Sequence, residues 1–212
     1  MAESRPAALP PATRTVGQVV AESIRFYGDH FWPVLALGLP FLAIDLTSLD
    51  LSITAQTLTA WALGPLVCAA YVRACALVAG TNWSWTAYAV ALVVYLPFPV
   101  LLRLYLLPGI FWFAVFGLAV PAAVGEQLGF RDALRRGVAL GRADLAHALG
   151  GLATLCIVYG ICRFALLVLL HTQGDQAQKI AIILADVVLS PILYVGGALL
   201  YVDQAARMRV VE

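Results

Sequence analysis

The sequence predicts an all-α membrane protein: a bundle of about six transmembrane helices with two further amphipathic helices at the membrane interface. Three observations carry this. Of 212 residues, 62% are apolar and only 12% are charged, against about 25% charged in a soluble globular domain. Mean hydropathy is +0.90, and the apolar residues fall in runs near the roughly 20-residue length that spans a bilayer. The few charges are concentrated, with Arg131, Arg135, Arg136 and Arg142 in one stretch, GEQLGFRDALRRGVALGRADLA (125–146), between long apolar runs. A net charge of +1 leaves no basic surplus for nucleic acid, so membrane lipids, and a membrane-protein partner, are the expected contacts. Twelve of the thirteen basic residues are Arg in a chain rich in Ala, Leu, Val and Gly, which points to a GC-rich bacterial genome.

Residues 1–13, MAESRPAALPPAT, are polar or Pro-rich and lack the apolar core of a signal peptide. They are expected to form a disordered cytoplasmic tail ahead of an integral membrane domain over 14–212. From Thr15 to His30 the pattern turns helical. Val16, Val19, Val20, Ser23, Ile24, Phe26 and Tyr27 share one face and Gln18, Glu22, Arg25 and Asp29 the other. That helix is too polar to span, so it is expected to lie in the interface, with docking to a partner as the alternative.

The first span is expected over Phe31–Leu49, with Trp32 at an interface and a kink at Pro40. Asp45 and Asp50 near its end have no basic neighbour and mark an external loop. Leu51–Gly80 is the second span. After the polar turn TNWSW (81–85), the third runs over Thr86–Leu107, broken by Pro97 and Pro99. Pro108 and Gly109 predict a tight external turn before a fourth span over Ile110–Val124. Leu145–Leu170 and Lys179–Val202 are the fifth and sixth, and the tail DQAARMRVVE is polar and basic.

An even number of spans puts both termini on one side. Arg5, Arg14, Arg25, the four loop arginines, Arg207 and Arg209 lie there, against Lys179 and Arg103 on the other. This bias predicts that both termini face the cytoplasm of a bacterial inner membrane. A shift of 114 residues lays Phe130–Leu145 over Val16–Phe31, each an amphipathic helix running into a spanning hairpin. This is either a parallel duplication or a chance register between two amphipathic helices.

Charge inside a membrane costs on the order of 2.5–3.5 kcal/mol per residue at a helix centre, so each case needs a partner or a purpose. Arg163 and Asp186 each lie eleven positions from the Gly174/Asp175 turn, which puts them at similar depth on adjacent helices. They are a candidate intramembrane ion pair, either fixing helix register or serving as a proton or substrate site. Arg73 and Asp45 differ in depth, and no pair is expected between them; Arg73 is expected to snorkel or meet a carbonyl. Glu126 is placed to bond Arg131, Arg135 or Arg136, and with Arg142 these form an expected interfacial network on the cytoplasmic side.

Cys68, Cys75, Cys156 and Cys162 lie inside spans without metal-ligand spacing, and His30, His147 and His171 form no metal motif. No phosphate-binding loop, nucleophile elbow or paired-carboxylate frame is present. No metal, cofactor or catalytic residue is therefore expected, and the protein is not expected to be an enzyme. Gly150-Gly151 and Gly196-Gly197 are patches that permit close helix contact.

The succession of TVGQVVAESIRFYGDHFWPVLAL, VPAAVGEQLGFRDALRRGVALGRADLAHALGGL and a last span closing in LYVDQAARMR resembles a broad bacterial family of six-span membrane proteins. It includes YciC-like proteins and the membrane domain attached to some glycerophosphodiester phosphodiesterases. Glu126 followed by Arg135 and Arg142 fits the family's acidic residue ahead of an arginine-bearing helix. Its frequent Asp-x-Arg tail is Asp203-Gln204-Ala205 here, with Arg207 displaced. No phosphodiesterase domain is present. The resemblance implies an inner-membrane protein in envelope homeostasis; the residues themselves, which form no catalytic constellation, point to a protein acting through lipid or protein contacts. The alternative is a small transporter or channel subunit using Arg163, Asp186 and the Pro97/Pro99 break.

Overall fold

The structure, a computed structural model, describes residues 11–48, 51–104 and 106–211. Asp50 and most of the expected N-terminal tail lie outside the described residues. Where that tail is described, Pro11–Thr13 form a 3-10 turn packed on the last helix, which corrects the disorder expected for those three residues.

Eight helices follow among the described residues. Helix α1 (Val16–Asp29) opens at Thr15, whose backbone N–H donates to Gln18 Oε1 at 2.6 Å and so satisfies one of the free donors of the first turn. Six helices are long and apolar enough to cross a membrane: α2 (Phe31–Ser48), α3 (Ile53–Ala79), α4 (Trp85–Arg103), α5 (Leu106–Gly125), α7 (Leu145–Leu170) and α8 (Gln176–Arg209). The eighth, α6 (Phe130–Ala143), is the arginine-bearing amphipathic helix between α5 and α7.

Two spans depart from α geometry where they meet. In α2 the chain tightens to a 3-10 turn over Ala36–Gly38 before resuming at Leu39. Pro40 has no N–H to give the Ala36 carbonyl, which takes that of Leu39 instead. In α8 a wider π turn spans Ala185–Leu189. Gly38 sits against that turn: a Cβ there would stand 2.5 Å from the Val187 carbonyl oxygen.

The prolines of α4 act as expected, stopping the helix at Leu96 and restarting it at Phe98. The Val94 and Leu96 carbonyls at the break accept the Trp112 and Trp61 indole N–H groups, at 2.8 and 2.9 Å. The expected turn at Pro108-Gly109 is a correction. Both residues lie in the first turn of α5, which begins at Leu106, where the N–H that Pro108 lacks has no intrahelical partner to lose. Beyond the expected sixth span, the polar and basic C-terminal tail continues α8 as helix, with Asp203 and Gln204 fully buried.

The core is built of small residues. Gly151 lies under Leu200 and Gly196 under Leu155, which brings α7 and α8 together. Gly137 on α6 lies against Ala119 of α5 and Gly141 against Ala114 and Val115, with Ala133 buried on the same face of α6. The 114-residue shift reappears here as geometry. The buried face of α1 is Val19, Ser23 and Tyr27, and that of α6 includes the equivalent Ala133, Gly137 and Gly141. Their beds differ: α1 lies on α7 and α8, and α6 chiefly on α5. Ile24, on the expected apolar face of α1, points outward at 53% exposure.

Candidate functional site

Arg163, on α7, and Asp186, in the π turn of α8, meet inside the bundle. Arg163 Nη1 donates to Asp186 Oδ1 at 3.0 Å. The π turn carries this geometry. The extra residue per turn frees the Asp186 backbone carbonyl, and the buried Ser190 hydroxyl caps it. Asp186 is fully buried, whereas the Arg163 side chain keeps 28% of its surface.

Two further residues complete the cluster. Asp45, on α2, bonds the second arm of the guanidinium through its Oδ2. Tyr159, one turn before Arg163 on α7, accepts from Arg163 Nη1 at 2.9 Å and donates to Asp186 Oδ1 at 2.9 Å. A single Arg is thus shared by two carboxylates. The second Asp186 oxygen, Oδ2, is buried and has no hydrogen-bond partner.

The cluster stands at the wall of a cavity of about 360 Å³ to which all six spans contribute. Its lining is almost wholly apolar: Phe41, Val67, Val94, Phe98, Ile110 and Leu155 are representative, and Asp45 and Arg163 supply its charges. Aromatic rings crowd the charged end. Phe41 lies 6.4 Å from Tyr159 and 5.7 Å from Tyr194 between ring centroids, and Tyr71 lies 6.3 Å from Tyr194. The Tyr194 hydroxyl is buried and unpartnered.

A second polar cluster closes the end of the bundle where α1 and α6 lie. Arg14 bonds the buried Asp203 at 3.1 Å. Arg207 reaches Asp144 at 3.1 Å and the Arg14 carbonyl at 2.7 Å, and Gln204 donates to the Asp144 carbonyl at 3.0 Å. Beside it, Glu126 accepts from Arg136 at 3.0 Å and from the Tyr201 hydroxyl at 2.8 Å.

The expected interfacial network therefore contracts. Arg136 alone of the four loop arginines reaches Glu126. Arg131, Arg135 and Arg142 are exposed, and none of the described ion pairs includes them. They lie on the outer face of α6, turned away by the same periodicity that buries Ala133 and Gly137. Arg73 is exposed on α3. Asp45, Tyr159 and Tyr194 were not anticipated as site residues. Tyr159 had a signal, its spacing of four from Arg163 on one helix. Asp45 lies three residues from the end of its span and Arg163 seven from the end of its own. That offset is about 6 Å at 1.5 Å per residue, within the reach of an Arg side chain.

The fold and site define a helical bundle of six apolar spans, a multi-pass membrane protein with a charged cluster set into an apolar cavity. Compared with known proteins, the chain matches no family model, no curated protein and no solved structure.

Proposed function

We propose that this is a non-enzymatic protein of the bacterial inner membrane that holds a lipid-like molecule in its central cavity. The observation that carries the reading is the cavity itself. Its volume of about 360 Å³ falls in the about 300–1,000 Å³ range of small-molecule sites. Apolar walls with polarity confined to one end suit a chain with a head group. A water-filled route for a hydrophilic solute would expose more polar lining. Both termini face the cytoplasm in this reading, because the basic residues gather at the end that carries α1 and α6. The resemblance to the YciC-like family and its expected part in envelope homeostasis point the same way.

The test is saturable binding of a fluorescent alkyl probe to the protein in nanodiscs. Ala91 lines the cavity and is buried; Ala91→Phe fills the space and abolishes binding. Ile161→Phe, on the outer surface at 63% exposure, leaves binding intact. Binding that neither saturates nor responds to Ala91→Phe would remove the reading. Transport is the second reading, favoured by one observation: Pro99, at the α4 break, borders the cavity, so a hinge is available there. Probe movement between the leaflets of proteoliposomes would establish it.

A further inference from the structure

The charge count at the cavity end selects the head group. With both carboxylates ionised, Asp45 and Asp186 outnumber Arg163, and the cluster carries one uncompensated negative charge. A charge left over in an apolar setting is costly, and it is relieved either by a proton taken up on the carboxylate pair or by a cation that a ligand brings, since the guanidinium has no further arm to give. Both arms of the guanidinium are already engaged, one with Asp45 and one with Asp186 and Tyr159. Asp186 Oδ2 remains buried without a partner. Arg163 is therefore no open anion site, since an incoming phosphate or carboxylate would have to displace a bonded aspartate.

The second observation concerns the rings. Phe41 stands 6.4 Å from Tyr159 and 5.7 Å from Tyr194 between ring centroids, and all three rings line the cavity with Asp45. Their faces carry partial negative charge and attract cations, and such groupings recognise quaternary ammonium. Tyr194 is 5% exposed, lines the cavity and has no partner for its hydroxyl. Carboxylates in excess, aromatic faces and an apolar chamber specify one chemistry together: an apolar chain that ends in positive charge.

We propose that the cavity takes a cationic amphiphile, with a positively charged nitrogen seated between Asp45 and the Phe41, Tyr159 and Tyr194 rings and its chain in the apolar remainder. This rests on the lipid-holding reading above and goes beyond it by naming the head group. The chain length is left to the cavity; the charge is set by the cluster.

The experiment is competition against the fluorescent alkyl probe by three twelve-carbon compounds with different heads: dodecyltrimethylammonium, dodecanol and dodecyl sulfate. The full chain is held in phosphatidylglycerol nanodiscs, so that no lipid nitrogen competes. Dodecyltrimethylammonium should displace the probe at least about tenfold more tightly than dodecanol, and dodecyl sulfate more weakly than either. Empty phosphatidylglycerol nanodiscs, run in parallel, remove the partition of the cation into the anionic lipid. Asp45→Asn restores charge balance and should bring the cation and the alcohol to within about twofold of each other, with dodecanol affinity unchanged. Equal competition by all three compounds overturns the cationic head and leaves the lipid-holding reading standing; so does a preference for dodecyl sulfate. Failure of the probe to bind at all removes both. If Asp45→Asn does not fold, the ranking in the unmodified protein decides, and Tyr194→Leu supplies a second variant: loss of the ring should cut the advantage of the cation over the alcohol by about threefold, and an undiminished advantage overturns the ring-lined seat.

Discussion

A methyl group added at Gly38 would stand 2.6 Å from the carbonyl oxygen of Asp186. The 3-10 turn of α2 and the π turn of α8 are therefore in backbone contact, with no room between them for even the smallest side chain. The irregular turn that holds Asp186 is buttressed by the irregular turn that Pro40 imposes. Gly38→Ala must push the two helices apart, at about 1–3 kcal/mol for an overpacked site. Thermal unfolding in nanodiscs measures it. Gly160→Ala is the control, because a Cβ there meets nothing within 4 Å; it should leave the midpoint unchanged or raise it. Equal midpoints for Gly38→Ala and Gly160→Ala would show that the contact is slack.

The shared arginine gives an ordering of variants. Arg163→Leu leaves two carboxylates near each other with no cation, one of them fully buried, and removing one partner of a buried pair costs about 3–5 kcal/mol. Adding Asp45→Asn and Asp186→Asn to Arg163→Leu removes every charge and should recover most of that loss. Asp186→Ala alone should cost less than Arg163→Leu with Asp186→Leu, because it leaves Arg163 paired with Asp45, whereas the double variant leaves Asp45 without its cation. Effects that simply add across these combinations would show that the three residues do not act as a cluster.

Much of this is legible in the sequence. Spans, amphipathic helices and their order follow from run length and period, which depend on local sequence. The Arg163–Asp186 juxtaposition also follows from counting, because one short turn joins their helices and equal distances give equal depth. Asp45 did not follow. Its helix is remote in sequence, and equal depth is too strict a criterion for an Arg side chain that covers several ångströms. The Pro108-Gly109 turn misled for a related reason, since proline marks the first turn of a helix as readily as the turn before it. The buried tail was hidden because Asp203 and Gln204 look solvent-facing until Arg14 and the Asp144 carbonyl are brought to them.

On topology, a cysteine at the exposed Ala139 of α6, in a background lacking Cys68, Cys75, Cys156 and Cys162, should resist impermeant reagents added outside the cell. It should label once the membrane is opened. External labelling of intact cells would reverse the proposed orientation.

The docked face of α1 is separable from its outward face. Val19 is 1% exposed and Ile24 is 53% exposed. Val19→Ala should cost about 1.5 kcal/mol from the lost carbons, and Ile24→Ala little in detergent, where solvent around it is apolar in both states. Spin labels report the same contrast, with one at Val19 immobile and one at Ile24 accessible to lipid-soluble oxygen. Equal mobility at the two positions would mean that α1 is not held on α7 and α8.

The last prediction concerns the two kinds of arginine at this end of the bundle. Arg14 is bound to Asp203, whose side chain keeps 1% of its surface, and its carbonyl also accepts from Arg207. Arg131 is exposed and has none of the described ion pairs. Arg14→Ala leaves a carboxylate buried with its nearest cation gone, so the expected loss approaches the about 3–5 kcal/mol of a broken buried pair. It should also free the segment before α1 for proteolysis. Arg131→Ala changes only a solvated charge, and its expected effect lies within about 0.5 kcal/mol. Arg14→Lys separates charge from geometry: it keeps the cation but loses the planar fork, so its midpoint should fall between the two. Matching midpoints and matching protease resistance for Arg14→Ala and Arg131→Ala would mean that Asp203 is held by its other neighbours, and that the N-terminal segment is not latched to α8.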